Sequence, residues 1–216
     1  YAKRCLLKWE EGDKKTRALW KKMNGWTLSG MRQTMKRLGW SFNATYYESD
    51  IYASGREIIL NGLKKGVFKQ DETGAVYADL EQFGLPNKIL LRRDGTTLYI
   101  TQDIFLAYQK WKDFSPKSSA YVVASEQDLY FKQLFAVLRL LKLPYADHLS
   151  HLSYGMVRLP EGKIKSREGT TVDIDNLLDS LVALVKKEVE RRERGLSKTE
   201  VKKRSEHIAQ AALKYY

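Results

Sequence analysis

The 216-residue chain has a single cysteine, Cys5. That excludes an intramolecular disulfide and a cysteine-ligated metal cluster, and it fits a reducing, cytoplasmic setting. Proline is scarce, with four residues and no low-complexity tract, which argues against a long disordered region. No internal repeat and no signal peptide are visible. No apolar run approaches the roughly 20 residues of a membrane-spanning helix. Acidic residues are outnumbered, 26 Asp+Glu against 38 Lys+Arg, leaving a formal charge of +12. Such a surplus suits a polyanionic partner, nucleic acid or nucleotide; a solvated basic surface is the blander reading. Boundary signals are missing as well. Position 1 is Tyr rather than Met, and "HIAQAALKYY" at the other end keeps Ile208, Ala211, Ala212 and Tyr215 on one helical face with no stop residue after them. A piece of a longer protein is expected.

What is present is enough for a packed core. Hydrophobic residues make up 43%, including 13 Tyr, 7 Phe and 5 Trp, and the length suits one large domain or one domain plus a smaller one. Residues 1–38 have helical spacing, interrupted at Gly12-Asp13 and closed by Gly39. Asp50 is placed to cap a helix from about Ile51 to Lys65. The period then changes. "GVFKQDETGAVYADL" alternates around a turn and predicts a hairpin, and "KILLRRDGTTLYIT" predicts a second one joined at Asp94-Gly95.

From residue 97 the rhythm becomes strand, helix, strand, helix, strand. "TLYIT" (97–101), "AYVVA" (120–124) and "HLSYGMVRL" (151–159) are the expected strands. The strongest helical pattern, "DLYFKQLFAVLRLLKL", carries Phe131, Leu134, Phe135, Leu138 and Leu141 in register. Asp173 or Asp175 caps a further helix, and a last one starts near Ser197. The alternation predicts an α/β fold: a doubly wound parallel arrangement of three strands, preceded by a helical and hairpin segment and followed by helices. Such sheets bind ligands beyond the carboxyl ends of their strands. Those ends offer Tyr99, Thr101 and Asp103; then Ser125, Glu126, Gln127 and Asp128; then a basic loop. Asp103 and Asp128 also suit plain helix N-caps, so either one alone is weak.

The loop, "EGKIKSREGTTVD" (161–173), puts Lys163, Lys165 and Arg167 on alternate residues between Gly162 and Gly169. Three cations so spaced can follow a triphosphate as charge builds on departing pyrophosphate. The spacing of a Walker loop is absent, and a solvated basic loop is the commoner fate of such a run.

"LYITQD" (98–103), "YVVASEQDLYFKQLF" (121–135), "LSYGMVRLPEGKIKSREGTTVD" (152–173) and "AALKYY" (211–216), with "YYESDIYASG" and "GAVYADL" ahead of them, resemble the arginyl-tRNA synthetases in order and spacing. These are class I aminoacyl-tRNA synthetases, whose fold is a Rossmann-type nucleotide-binding domain. The resemblance covers essentially the whole chain. It implies an ATP-dependent arginine–tRNA ligase with arginine, ATP accompanied by Mg2+, and tRNA as partners, no tightly held protein metal, and a monomeric, cytoplasmic complete form.

By the same resemblance, Tyr99, Asp103 and Gln127 correspond to arginine contacts. Tyr154, Gly155, Met156 and Val157 lie along the adenine. Lys163, Lys165, Ser166 and Arg167 form the mobile ATP loop, with Lys163, Lys165 and Arg167 catalytic. Residues 1–96 correspond to an insertion, 97–174 to the second half of the nucleotide-binding fold, and 175–216 to helices leading toward an anticodon domain. The chain departs from the family's usual pattern at Gln102 (commonly Arg), Tyr130 (commonly His, an ATP contact) and Ser166 (often Lys in class I enzymes). The family's His-Ile-Gly-His type signature is absent, so catalysis is expected only from a complete protein. "HLSH" (148–151) is no substitute, and His148 and His151 are expected to pack or to lie on the surface. A non-catalytic RNA-binding module built from half a synthetase is the alternative.

Overall fold

The computed structural model describes residues 2–51, 54–155, 158–159, 162–163 and 173–215. Packing divides the chain into two compact units, Tyr1–Asn43 with Leu159–Tyr216, and Ala44–Arg158. These units group residues by contact, whereas the three sequence segments group them by family correspondence.

The first unit is helical. Helix α1 (Ala2–Glu10) is followed by α2 (Lys14–Arg37), whose N-cap Asp13 accepts from the Thr16 amide at 2.8 Å. The Gly12-Asp13 break therefore falls where expected. Helix α2 is long but buries none of its own residues; Leu38, just past its end, packs with Leu178 and Ala209. Those two belong to α7 (Ile174–Arg192) and α8 (Lys198–Tyr215). Asp173 caps α7, accepting from the amides of Asp175 and Asn176 at 2.8 and 3.3 Å. Asp175 serves elsewhere, accepting from the Thr34 hydroxyl at 2.7 Å. Beside it, Arg37 pairs with Asp179 at 2.7 Å and Glu206 at 2.8 Å. Helix α8 opens on a capping box between Ser197 and Glu200.

The second unit holds the larger core. It comprises α3 (Glu48–Ile51), α4 (Arg56–Lys64), β1 (Lys69–Gln70), β2 (Val76–Ala78), β3 (Lys88–Leu91), α5 (Tyr99–Phe114), β4 (Ser119–Ala124), α6 (Asp128–Leu140) and β5 (Leu149–Tyr154). Strands β6 (Arg158–Leu159) and β7 (Gly162–Lys163) form a separate two-stranded ladder. The helix expected from Ile51 to Lys65 is divided. Asp50 lies inside α3, and α4 starts after Gly55, whose backbone is pressed against α5: a Cβ there would stand 2.1 Å from the Thr101 carbonyl oxygen.

Strands β1, β2 and β3 form an antiparallel sheet. The β1–β2 turn is held by Asp71, which accepts from the Thr73 and Ala75 amides at 2.9 and 3.0 Å. Asp94 holds the next turn in the same way, accepting from the Thr96 amide at 2.9 Å. The outgoing arm of this second hairpin shrinks to one bridge, Leu91 to Thr97.

Here the expected strand "TLYIT" is corrected. Leu98 is extended, and α5 begins at Tyr99. The Thr101 hydroxyl accepts from the Leu98 amide at 3.3 Å and donates to the buried Leu90 carbonyl at 2.6 Å, which fastens a first helical turn over β3. Ile100, Ile104 and Ala107 then line the buried side of α5 at helical spacing. The anticipated three-stranded parallel sheet is, among the described residues, a parallel pair: β4 and β5, in register from Ser119–Leu149 to Ala124–Tyr154. One face packs on α6, with the Tyr121 ring 5.3 and 5.4 Å from those of Phe131 and Phe135. The other face leaves Val122 62% and Leu152 61% exposed.

Candidate active site

Starting α5 at Tyr99 has a direct consequence. Tyr99 and Asp103 are four residues apart, so they share one helical face. Gln127 ends the 3-10 turn Ser125–Gln127 that follows β4. All three line one cavity of about 740 Å³, with Lys88, Leu98 and Tyr130 among its other walls. That volume lies in the range of small-molecule sites. Tyr99 is exposed into solvent, Gln127 is exposed, and Asp103 is half-buried.

Neither rim aspartate caps a helix. Asp103 lies in the second turn of α5, whose N-cap is Leu98. Its Oδ2 accepts a short hydrogen bond from the Tyr130 hydroxyl. Burial raises the Asp103 pKa above the ordinary carboxylate range, opposed by the Tyr130 hydrogen bond and the charge of Lys110, while Glu48 adds to the rise. Lys110 lies two turns further along α5, with Nζ 4.0 Å from the Tyr121 ring centroid. Burial lowers its pKa, and Asp103 opposes that shift. Asp128 opens α6 without entering the cavity. Its Oδ1 accepts from the Ser153 hydroxyl at 2.7 Å and lies 3.4 Å from Nδ1 of His151.

His151 packs, as one of the two expected alternatives has it. Its ring centroid is 4.5 Å from that of Phe131, and Nε2 is 2.8 Å from the Val123 carbonyl oxygen. His148 is exposed. Among the described residues no group of three or more His, Cys, Asp or Glu could hold a metal, and no helix is long and apolar enough to cross a membrane.

The adenine and phosphate residues are only partly described. Tyr154 ends β5 opposite Ala124, so it leaves the parallel pair at the end where the Ser125–Gln127 turn begins. Tyr154 and Gly155 are exposed. Lys163 lies in β7. Met156, Val157, Lys165, Ser166 and Arg167 lie outside the described residues.

The family profile "tRNA synthetases class I (R), catalytic domain" matches residues 1–216. The chain belongs to this family. It is 49% identical over its whole length to the arginine–tRNA ligase of Treponema denticola and 46% identical over 213 residues to that of Amoebophilus asiaticus. It spans 37% and 36% of those relatives, about a third of their length. The arginyl-tRNA synthetase of Plasmodium falciparum superposes with a TM-score of 0.77 over 98% of this chain and 35% of its own, at 18% identity. That of Thermus thermophilus gives 0.73 over 95% of this chain and 42% of its own, at 21% identity. At those identities the superpositions establish the fold, an α/β class I catalytic-domain portion.

One cavity residue, Lys88, and one charge behind the cavity, Lys110, escaped sequence reasoning. Lys88 carried no local signal, because only the packing of β3 beside α6 brings its Nζ to 5.2 Å from the Tyr130 ring centroid. Lys110 did carry one: seven residues after Asp103, it falls on the same side of a helix.

Proposed function

We propose that the complete protein is an arginine–tRNA ligase and that this chain supplies the arginine pocket and the ATP loop of its catalytic domain. The observation carrying the proposal is the gathering of Tyr99, Asp103 and Gln127 around one cavity at the end of the parallel pair. A guanidinium is a flat fork of five donors whose best partner is a carboxylate. In this reading Asp103 takes the fork, Gln127 accepts from its edge, and Tyr99 covers it with an aromatic face or a hydroxyl. An RNA-binding module has no use for a half-buried anion in a cavity of small-molecule size, and this favours the enzyme.

The arginine α-carboxylate attacks the α-phosphorus of ATP, forming arginyl-adenylate and releasing pyrophosphate. The arginyl group then passes to the terminal ribose of tRNA. Tyr154, Gly155, Met156 and Val157 run along the adenine. Lys163, Lys165, Ser166 and Arg167 follow the phosphates, and Lys163 and Lys165 neutralise the charge that builds on the leaving pyrophosphate. Mg2+ enters with ATP. The complete form is a monomer of the cytoplasm, where tRNA is charged. The test is arginine-dependent ATP–pyrophosphate exchange by the complete protein with tRNA present, challenged with citrulline, which keeps the shape but not the cation. Exchange that responds equally to citrulline would overturn the assignment.

A further inference from the structure

We infer that Tyr130 is a positioning residue for arginine recognition, holding the Asp103 carboxylate in the orientation that a guanidinium requires. The inference rests on the arginine-pocket reading and goes beyond it, because the resemblance makes this position an ATP contact. The Tyr130 hydroxyl donates to Oδ2 of Asp103, joining α6 to α5 across the cavity wall. A phenol has one proton to donate, and here it is committed to the carboxylate. Among the described residues Oδ1 has no hydrogen-bond partner, so one edge of the carboxylate is fixed while the other stays available.

The tyrosine is itself held. Its ring meets Phe131 edge-on at 5.3 Å and 90°, and Lys88 Nζ stands 5.2 Å from its centroid. Phe131 is a core residue, 6% exposed. The hydroxyl therefore sits where the core puts it. Bidentate Arg–carboxylate pairing depends on coplanar forks, so fixing the rotation of the Asp103 carboxylate selects a guanidinium over a point-like ammonium. The other charged or titratable groups acting on Asp103 are Lys110 from its own helix and Glu48 from α3. Tyr121 of β4 also feels its charge. None of these three makes a hydrogen bond to the Asp103 carboxylate, whereas Tyr130 does.

The experiment compares Tyr130→Phe, Asp103→Asn and the unaltered complete enzyme. It measures KM for arginine, KM for ATP, kcat, melting temperature, and the pH profile of kcat/KM for arginine. Tyr130→Phe keeps the ring and its packing. Losing one hydrogen bond to a charged group should raise the arginine KM about tenfold, with ATP KM and kcat within about twofold. The acid limb of the arginine profile should move to higher pH, because the carboxylate loses a donor that favours its ionised form. A raised ATP KM with unchanged arginine KM would make Tyr130 an ATP contact and overturn the inference; so would an unchanged set of constants. If Asp103→Asn also leaves the arginine KM unchanged, the pocket reading itself has failed. If only Tyr130→Phe is silent, the pocket stands and Tyr130 has no part in it.

Discussion

Replacing Asp103 by Asn is the sharpest single perturbation of the pocket. The two side chains have nearly the same shape, and the Asn carbonyl oxygen can still accept from the Tyr130 hydroxyl, so little changes except the charge. In the arginine complex that charge faces a guanidinium. A hydrogen bond to a charged group contributes about 1.5–3 kcal/mol, and removing one partner of a fully buried ion pair costs about 3–5 kcal/mol. Asp103 is half-buried, so about 2–3 kcal/mol is expected, roughly a 30- to 150-fold rise in arginine KM. Stability should move the other way. Burial raises the Asp103 pKa in the folded protein. A group raised in this way favours folding below its unfolded pKa, and that contribution is lost as pH rises through the folded pKa. At neutral pH the buried anion is therefore a cost to folding that the neutral Asn removes. Steady-state aminoacylation and thermal melting of the complete enzyme should give a raised arginine KM with a melting temperature that is unchanged or higher. Arginine binding by the unaltered enzyme should weaken as pH falls through the raised Asp103 pKa. An unchanged KM, or a raised KM with a large fall in melting temperature, would refute the reasoning.

Three further perturbations probe the loop and the scaffold. Lys163→Ala should lower the activation rate about 10²-fold or more with a smaller change in ATP binding, read by single-turnover adenylate formation; unchanged turnover at saturating substrates would remove Lys163 from catalysis. Arg37→Ala should lower the melting temperature, because it strands Asp179 and Glu206 together between α7 and α8, at about 1–2 kcal/mol for a partly exposed cluster. Arg37 holds the Glu206 pKa low, and the stability gained from a depressed carboxyl is lost as pH falls through its folded pKa. The gap between the melting temperatures of variant and parent should therefore narrow in acid. Gly55→Ala should force a Cβ to within 2.1 Å of the Thr101 carbonyl oxygen, costing about 1–3 kcal/mol by overpacking and raising the arginine KM by displacing the first turn of α5.

Much of the scaffold was legible because its periodicity is strong. Phe131, Leu134, Phe135 and Leu138 give α6 a period that nothing else fits, and all are buried. The break at Gly12-Asp13 and the helix start near Ser197 were legible too, and Asp173 was one of the two caps expected for α7. "TLYIT" misled because threonine, tyrosine and isoleucine favour strands. What decided its fate was the Thr101 hydroxyl reaching the Leu90 carbonyl, a contact eleven residues apart. The spacing of Ile100 and Ile104 already allowed a helix. Tyr99, Asp103 and Gln127 were identified through family resemblance, and chain geometry alone placed them no more finely than at strand ends. The Tyr130–Asp103 bond could not be read from sequence, because 27 residues separate its partners and only the packing of α5 on α6 brings them together.

Asp103 and Lys110 ride on the same rigid rod, two turns and about 10 Å of axial rise apart. The anion and the cation behind it therefore travel as one electroneutral piece whenever α5 moves. The far wall, with Tyr130 and Gln127, belongs to α6 and the turn before it. Width and charge preference of the pocket are thus governed by different variables: the gap between two helices sets the first, and the Asp103 carboxylate carried by one of them sets the second. Changes at the α5–α6 contact can retune the size of the accepted side chain while leaving the preference for a cation intact, so bulkier guanidines are the natural direction for redesign.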